Sequence, residues 1–185
     1  MSEHINAIKC IFSSKCINGK IKLVKYKNDL DKLNALIIPG GESTTISKIL
    51  YKTGLYDSIV ERINKGNLWI MGTCAGCVLL AKEVVGIERE YKPLCAMNMK
   101  VKRNAFGRQK ESFERNINIK GLNEPYNAVF IRAPIIKEIW GECKILSKIN
   151  NDIIAAREDK FLALSFHPEL TNDLRIHEYF LQMID

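Results

Sequence analysis

Apolar residues fall along the chain in short runs that end in glycine or polar punctuation. Leu36-Ile37-Ile38, Leu68-Trp69-Ile70-Met71, Val129-Phe130-Ile131 and Phe161-Leu162-Ala163-Leu164-Ser165-Phe166 are nearly continuous, which predicts buried strands. Between the first two the spacing turns helical: Ile46, Ile49 and Leu50 share one face, and Leu55, Ile59 and Ile63 follow before Gly66. Strand, helix and strand in that order predict a parallel crossover. Farther on the period becomes two. Met97-Asn98-Met99-Lys100-Val101 and Ile117-Asn118-Ile119 alternate, and Ile153-Ile154-Ala155-Ala156 runs into the turn-prone Glu158-Asp159-Lys160, which favours antiparallel pairs. A closing helix is expected from Leu174 to Met183, with Asp173 as its N-cap.

The chain shows no internal repeat, low-complexity stretch or linker. Its 185 residues, 46% of them hydrophobic, suffice for one sizeable core and are short for two, so one domain over 1–185 is expected. The architecture these elements predict is α/β, a three-layer sandwich with a mixed sheet. No run is long enough to span a membrane, and Met1-Ser2-Glu3-His4 opens without the features of a secretory signal, so a cytoplasmic protein with no membrane partner is expected. The six cysteines are scattered through a chain that folds without staples and are expected as thiols. The net charge of +7 is spread over the chain with no aromatic-interleaved basic motif. That argues against nucleic acid and for a solvated surface or a face that meets an acidic protein.

One segment changes the picture. In Leu68-Trp69-Ile70-Met71-Gly72-Thr73-Cys74-Ala75-Gly76-Cys77 a strand runs through Gly-x-Cys-x-Gly into a helix, the nucleophile-elbow pattern with sulfur for oxygen. Small neighbours permit the sharp turn that presents Cys74 at the sheet edge, and the helix start behind it favours a thiolate. A plain glycine-rich turn with a buried cysteine fits the same letters, as does a redox pair of Cys74 and Cys77, although the companions of a redox motif are absent. A thiol hydrolase needs a base. Of the three histidines, His167 follows a strong strand, is stopped by Pro168 and has Glu169 two residues on to orient its ring. His177 reads as solvated on a surface helix, and His4 as solvated near a fraying terminus. A second turn, Pro39-Gly40-Gly41-Glu42-Ser43-Thr44-Thr45, is not a phosphate loop. Its N–H groups suit an oxyanion or carboxylate, Glu42 suits an ammonium, and Ser43 or Thr44 suits a helix N-cap.

Six segments in matching order resemble one family: Pro39-Gly40-Gly41-Glu42-Ser43-Thr44, Gly72-Thr73-Cys74-Ala75-Gly76, Arg103-Asn104-Ala105-Phe106-Gly107-Arg108-Gln109, Ser112-Phe113-Glu114, Phe130-Ile131-Arg132-Ala133-Pro134 and Ser165-Phe166-His167-Pro168-Glu169-Leu170. The chain is similar to the glutaminase subunits of pyridoxal 5′-phosphate synthase, a triad branch of the class I glutamine amidotransferases. The resemblance implies a flavodoxin-like fold in which Cys74 attacks the side-chain amide of L-glutamine and His167 and Glu169 complete the triad. It places glutamine contacts at Gly41, Glu42, Ser43, Arg103, Ile131 and Arg132, and an oxyanion hole at Gly41 and Ala75. It implies a partner, the barrel-shaped synthase subunit, which takes the ammonia, and no metal or cofactor for this chain. Read without the family, Arg103, Arg108 and Arg132 are surface charges.

The chain departs from the family at its start. Relatives open with an apolar strand and a Gly-Leu-Gln-Gly-like loop before a helix that carries Glu-His, whereas Glu3-His4 stands here at the first residues, with Ile5, Ile8 and Phe12 at helical spacing. The fold is therefore expected to lack the usual first strand, leaving a sheet edge and an oxyanion donor worth about 3 kcal/mol unprovided. Retention of every other motif favours a natural protein longer than Met1–Asp185 over a truncated one. Two further functions fit parts of the pattern. A noncatalytic interaction subunit would keep the fold and the docking face, and a stress-response domain with an elbow cysteine would explain Cys74 without His167-Pro168-Glu169.

Overall fold

The computed structural model describes residues 2–86, 91–105 and 112–184. Helix α1 (Ser2–Ser14) turns His4, Ala7, Ile8 and Ile11 inward at i, i+3, i+4 and i+7. Strand β1 (Ala35–Ile38) leads to α2 (Ser43–Lys52) and α3 (Leu55–Asn64), and β2 (Trp69–Thr73) then pairs parallel with β1, so the expected crossover is present. The chain passes from β2 directly into α4 (Ala75–Leu80) and on through β3 (Ala81–Val85) and β4 (Met97–Lys102). Then come β5 (Ser112–Ile117), β6 (Tyr126–Ile131), β7 (Ile135–Ile139), β8 (Lys144–Ile149), β9 (Asp152–Glu158), β10 (Phe161–Leu164) and the closing α5 (Arg175–Gln182).

The main sheet runs β1-β2-β10-β9-β7-β4-β3, with β8 paired to β9. β1, β2 and β10 are parallel, β9 is antiparallel to β10, β7 and β8, and β3 pairs parallel with β4. The sheet is mixed, as the change of period predicts. Alternation along β10 divides the core. Phe161 and Ala163 pack with Leu55, Ile59 and Leu79 on one side, while Leu162 and Leu164 pack with Ile176 and Phe180 of α5 on the other. Helices on both faces of one sheet give the three layers.

Four expectations are corrected in detail. Val129-Phe130-Ile131 belongs to β6, which pairs only with β5 in a separate two-stranded sheet among the described residues. That ribbon buries one face, so Tyr126, Ala128 and Phe130 are buried while Ile131 is 39% exposed. Ile49, placed by spacing on the buried face of α2, is 52% exposed, because Ile46 and Leu50 already fill the contact with the sheet. Asp173 lies one residue outside the N-cap of α5, and its carboxylate still accepts the Arg175 N–H at 3.1 Å. His4 and His177 are buried, 4% and 0% exposed, where the sequence suggested solvent. Among the described residues, no helix is long and apolar enough to cross a membrane.

Candidate active site

β2 ends at Thr73 and α4 begins at Ala75, so Cys74 alone makes the turn. Its backbone sits at φ 50, ψ −103, a strained conformation for a residue with a Cβ and one that costs on the order of 1–3 kcal/mol. The turn is held from two sides. Cys74 N–H donates to the Leu164 carbonyl of β10 at 2.8 Å, and a Cβ on Gly76 would stand 2.1 Å from the Ile38 carbonyl oxygen, so only glycine lets α4 approach β1 this closely. The elbow read from Gly72-Thr73-Cys74-Ala75-Gly76 is thus built by close backbone approach between neighbouring strands and the helix.

Cys74 is 8% exposed, and its sulfur lies 3.7 Å from the Ile131 carbonyl oxygen. His167 follows β10, whose parallel pairing with β2 brings the two residues to the same end of the sheet. His167 Nδ1 lies 2.8 Å from Glu169 Oε1, and the ring is close enough to Cys74 for the two side chains to interact. Burial pushes the imidazole pKa down, but the interactions with Cys74 and Glu169 outweigh it and lift the value to about 9. The Glu169 side chain is 8% exposed. Burial pushes its pKa up, yet the hydrogen bond from His167 and the nearby His4 hold it below the usual carboxylate range. The three residues singled out by sequence are therefore brought together, with the imidazole interacting with both sulfur and carboxylate.

The loop after β1 closes against this group. A Cβ on Gly40 would meet His167 Cε1 at 2.4 Å and Cys74 Cβ at 3.5 Å. Gly41, Glu42 and Ser43 follow it, and the cap of α2 is Glu42 rather than Ser43 or Thr44. Its carboxylate accepts from Thr44 N–H at 3.0 Å and from Thr45 N–H at 2.6 Å. Burial pushes the Glu42 pKa up, but the bonds from Thr45 and Thr44 prevail and bring it to about 2. Arg103 joins the same turn, with Nη2 2.6 Å from Glu42 Oε1 and Nη1 3.1 Å from Thr44 Oγ1. Ser43 is buried, and its hydroxyl has no hydrogen-bond partner among the described residues. Ile131 reaches the sulfur through its carbonyl, and Arg132 follows it, exposed, at φ 44. Ala75 is the first residue of α4 and is buried. Arg108 lies outside the described residues.

All six cysteines are free. Cys77 is fully buried inside α4, and burial pushes its thiol pKa far up, so the redox pairing of Cys74 with Cys77 lacks an accessible second thiol.

Sequence reasoning missed the surroundings of Glu169. His4 Nε2 lies 3.3 Å from Glu169 Oε2, and His4 Nδ1 lies 2.9 Å from His177 Nε2. The one available signal was the inward i, i+3, i+4 spacing of His4, Ala7 and Ile8, which puts His4 on the buried stripe of its helix.

A cysteine on a strained strand-to-helix turn, with a histidine and a carboxylate at the end of the next parallel strand, on a mixed sheet between helices, is the arrangement of a class I glutamine amidotransferase. Comparison with known proteins bears on the same point. The model of the SNO glutamine amidotransferase family matches residues 1–185. The pyridoxal 5′-phosphate synthase subunit PdxT of Pyrococcus horikoshii is 44% identical over 185 residues, covering 100% of this chain and 94% of that one. PdxT of Staphylothermus marinus is 48% identical over 190 residues, covering 98% and 92%. A crystal structure of a glutamine amidotransferase superposes with a TM-score of 0.89 at 42% identity, covering 99% of this chain and 93% of that one. A putative GMP synthase subunit from Thermoplasma acidophilum, at 17% identity and a TM-score of 0.60 over 85% of this chain and 76% of its own, shares the fold. The chain belongs to the SNO glutamine amidotransferase family.

Proposed function

We propose that this chain is the glutaminase of a pyridoxal 5′-phosphate synthase, one domain over 1–185 that releases ammonia from L-glutamine for a barrel-shaped synthase subunit in the cytoplasm. The observation that carries the reading is the juxtaposition of Cys74, His167 and Glu169, supported by family membership and by relatives named as subunits of that synthase.

The chemistry follows from the geometry. Glu169 holds Nδ1 of His167, which leaves Nε2 for the sulfur. The thiol proton passes to His167, and the sulfur attacks the side-chain amide carbon of glutamine, forming the C–S bond and a tetrahedral oxyanion. N–H groups of Gly41 and Ala75, from the two turns beside the sulfur, are the proposed donors to that oxygen. As the oxyanion collapses, the C–N bond breaks and the imidazolium gives its proton to the leaving nitrogen, so ammonia departs and a thioester remains. Water then attacks the thioester, His167 takes the water's proton, and the C–S bond breaks to give glutamate and the thiol. An imidazole held up to about 9 is well suited to carry the proton through the first half of this cycle.

Glutamine's charged end needs a carboxylate and a cation side by side, and Glu42 with Arg103 supplies that pair beside the sulfur loop. Gly41, Ser43, Ile131 and Arg132 complete the proposed contacts. Ammonia protonates in water and loses its nucleophilicity, so its delivery to a partner that uses it is the economical outcome of this chemistry.

The test is nitrogen transfer. With a pentose phosphate, a triose phosphate and the synthase subunit present, glutamine labelled at its amide nitrogen should yield labelled pyridoxal 5′-phosphate. Cys74→Ala should abolish the label, and added ammonium salt should restore product. Label incorporation that survives in Cys74→Ala would refute the assignment of the nucleophile.

A further inference from the structure

Two buried histidines stand behind the carboxylate, and the chemistry above leaves them without a role. His4 on α1 and His177 on α5 are 4% and 0% exposed, and their rings meet edge to face with centroids 5.2 Å apart. From His177 Nε2 it is 2.9 Å to His4 Nδ1, and from His4 Nε2 it is 3.3 Å to Glu169 Oε2 and 3.4 Å to Thr73 Oγ1. Glu169 Oε1 then reaches His167 Nδ1 at 2.8 Å. One carboxylate thus faces the working histidine with one oxygen and His4 with the other.

The partners decide the tautomers. If His4 carried its hydrogen on Nδ1, the Nε2 lone pair would point at a carboxylate oxygen, and His177 would bury an N–H at Nδ1, where it has no hydrogen-bond partner among the described residues. With hydrogen on Nε2 of both rings, His177 donates to His4 Nδ1. His4 Nε2–H then faces both Thr73 Oγ1 and Glu169 Oε2, and only a lone pair is left unpartnered on His177, which costs less than a buried donor. Burial lowers the pKa of both histidines, that of His177 to about 4, so both are neutral donors at neutral pH. Among the described residues, Glu169 Oε2 makes no hydrogen bond of good geometry, and His4 Nε2, 3.3 Å away, is placed to meet it.

We propose that His4 is a positioning residue of the glutaminase, its Nε2–H fixing the plane of the Glu169 carboxylate while His177 fixes the tautomer of His4. This rests on the reading of Cys74, His167 and Glu169 as the working triad. The physical role is specific. A carboxylate held by one oxygen alone can rotate about its Cγ–Cδ bond and carry Oε1 away from His167. A donor on the second oxygen stops that rotation and favours the charged form.

The experiment measures kcat and KM for glutamate release across pH, with the synthase subunit present, for the natural chain and for Cys74→Ala, His4→Leu, His4→Gln and His4→Asn. A glutamine amide nitrogen sits where Nε2 does and can donate to Glu169. An asparagine amide sits where Nδ1 does and reaches only toward His177. For His4→Leu and His4→Asn, kcat should fall about tenfold, a part of the hundredfold or more that general acid–base catalysis supplies, with KM held within about twofold. His4→Gln should keep most of the natural kcat. The acid limb of kcat should move to higher pH in the leucine variant and stay in place in the glutamine variant, because Glu169 without its donor takes up a proton sooner.

Among the described residues, the titratable groups facing Glu169 are His167 and His4, with His177 and Tyr126 at longer range. Those facing His4 among the described residues are Glu169, His167, His177 and, on α1 itself, Glu3. Equal kcat in His4→Gln and His4→Asn would overturn the proposal, even if His4→Leu fails to fold, and so would a folded His4→Leu with natural kcat and limb. Full activity in Cys74→Ala, or none in the natural complex, would instead overturn the triad reading on which the proposal rests.

Discussion

A methyl group on Gly40 would sit 2.4 Å from His167 Cε1 and 3.5 Å from Cys74 Cβ, so this glycine sets the distance between loop and triad. The loop backbone is hydrogen-bonded into α2 through Glu42, which leaves the ring to move. Gly40→Ala is expected to cost kcat about a hundredfold, the effect of misplacing a catalytic group by around an ångström, with a far smaller loss of stability. Steady-state kinetics beside thermal unfolding checks this, and an unchanged kcat would mean that the ring is not held by the loop. At this scale Cys74, His167 and Glu169 were legible because each sits in local sequence that fixes its geometry: small residues around the turn, and a proline after the strand. His4 and His177 were misread as solvated for the opposite reason. They meet each other across 173 positions of sequence, and only the packing of α1 against α5 creates that contact.

Among the elements, α2 shows how one side chain serves both stability and the site. Glu42 caps two backbone N–H groups and holds Arg103, although the sequence offered Ser43 and Thr44 as more usual caps. Ser43 was turned into the core, which left the carboxylate before it to satisfy the helix end. Glu42→Ala should destabilise the fold by roughly 1 kcal/mol, a fall in Tm of about 2–4 °C for a chain of this size. It should also raise KM for glutamine more than it lowers kcat, since Arg103 loses the partner that places it. Calorimetry and kinetics on the same preparation separate the two effects. The parallel β1–β2 crossover was legible from hydrophobic period alone. β6 was not read as part of a separate ribbon, because Val129-Phe130-Ile131 reads as a continuous apolar run until its partner β5 shows which face is covered.

Across the whole molecule, the buried titratable groups predict a stability maximum. His177 titrates at about 4 in the fold, and His4 is also lowered, against about 6.5 for an unfolded histidine. As pH falls from about 6.5 toward 4, the unfolded chain takes up protons that the folded one refuses, so stability falls. Glu169, lowered in the fold, adds stability present above the unfolded carboxylate range and lost below it. His167, raised to about 9, acts in the other direction: its contribution is complete below about 6.5 and is lost as pH rises through 9. The unfolding midpoint should therefore peak near pH 6.5 and fall by roughly 5 °C by pH 5. A midpoint that climbs steadily from pH 7 to pH 5 would show that the histidine pair is not buried neutral.

The mixed sheet was legible as a class, from runs that change to alternation midway. Its order was not, because the placement of β9 between β10 and β7 depends on contacts that no local pattern encodes.

Glutamate release from L-glutamine by the purified chain, with and without the synthase subunit and with Cys74→Ala for control, tests the assignment of Cys74 as a glutaminase nucleophile. Release that rises when the synthase subunit is added and vanishes in Cys74→Ala is the expected result. No release from the folded chain in the presence of the synthase subunit, or equal release from Cys74→Ala, would contradict a glutaminase that works through Cys74.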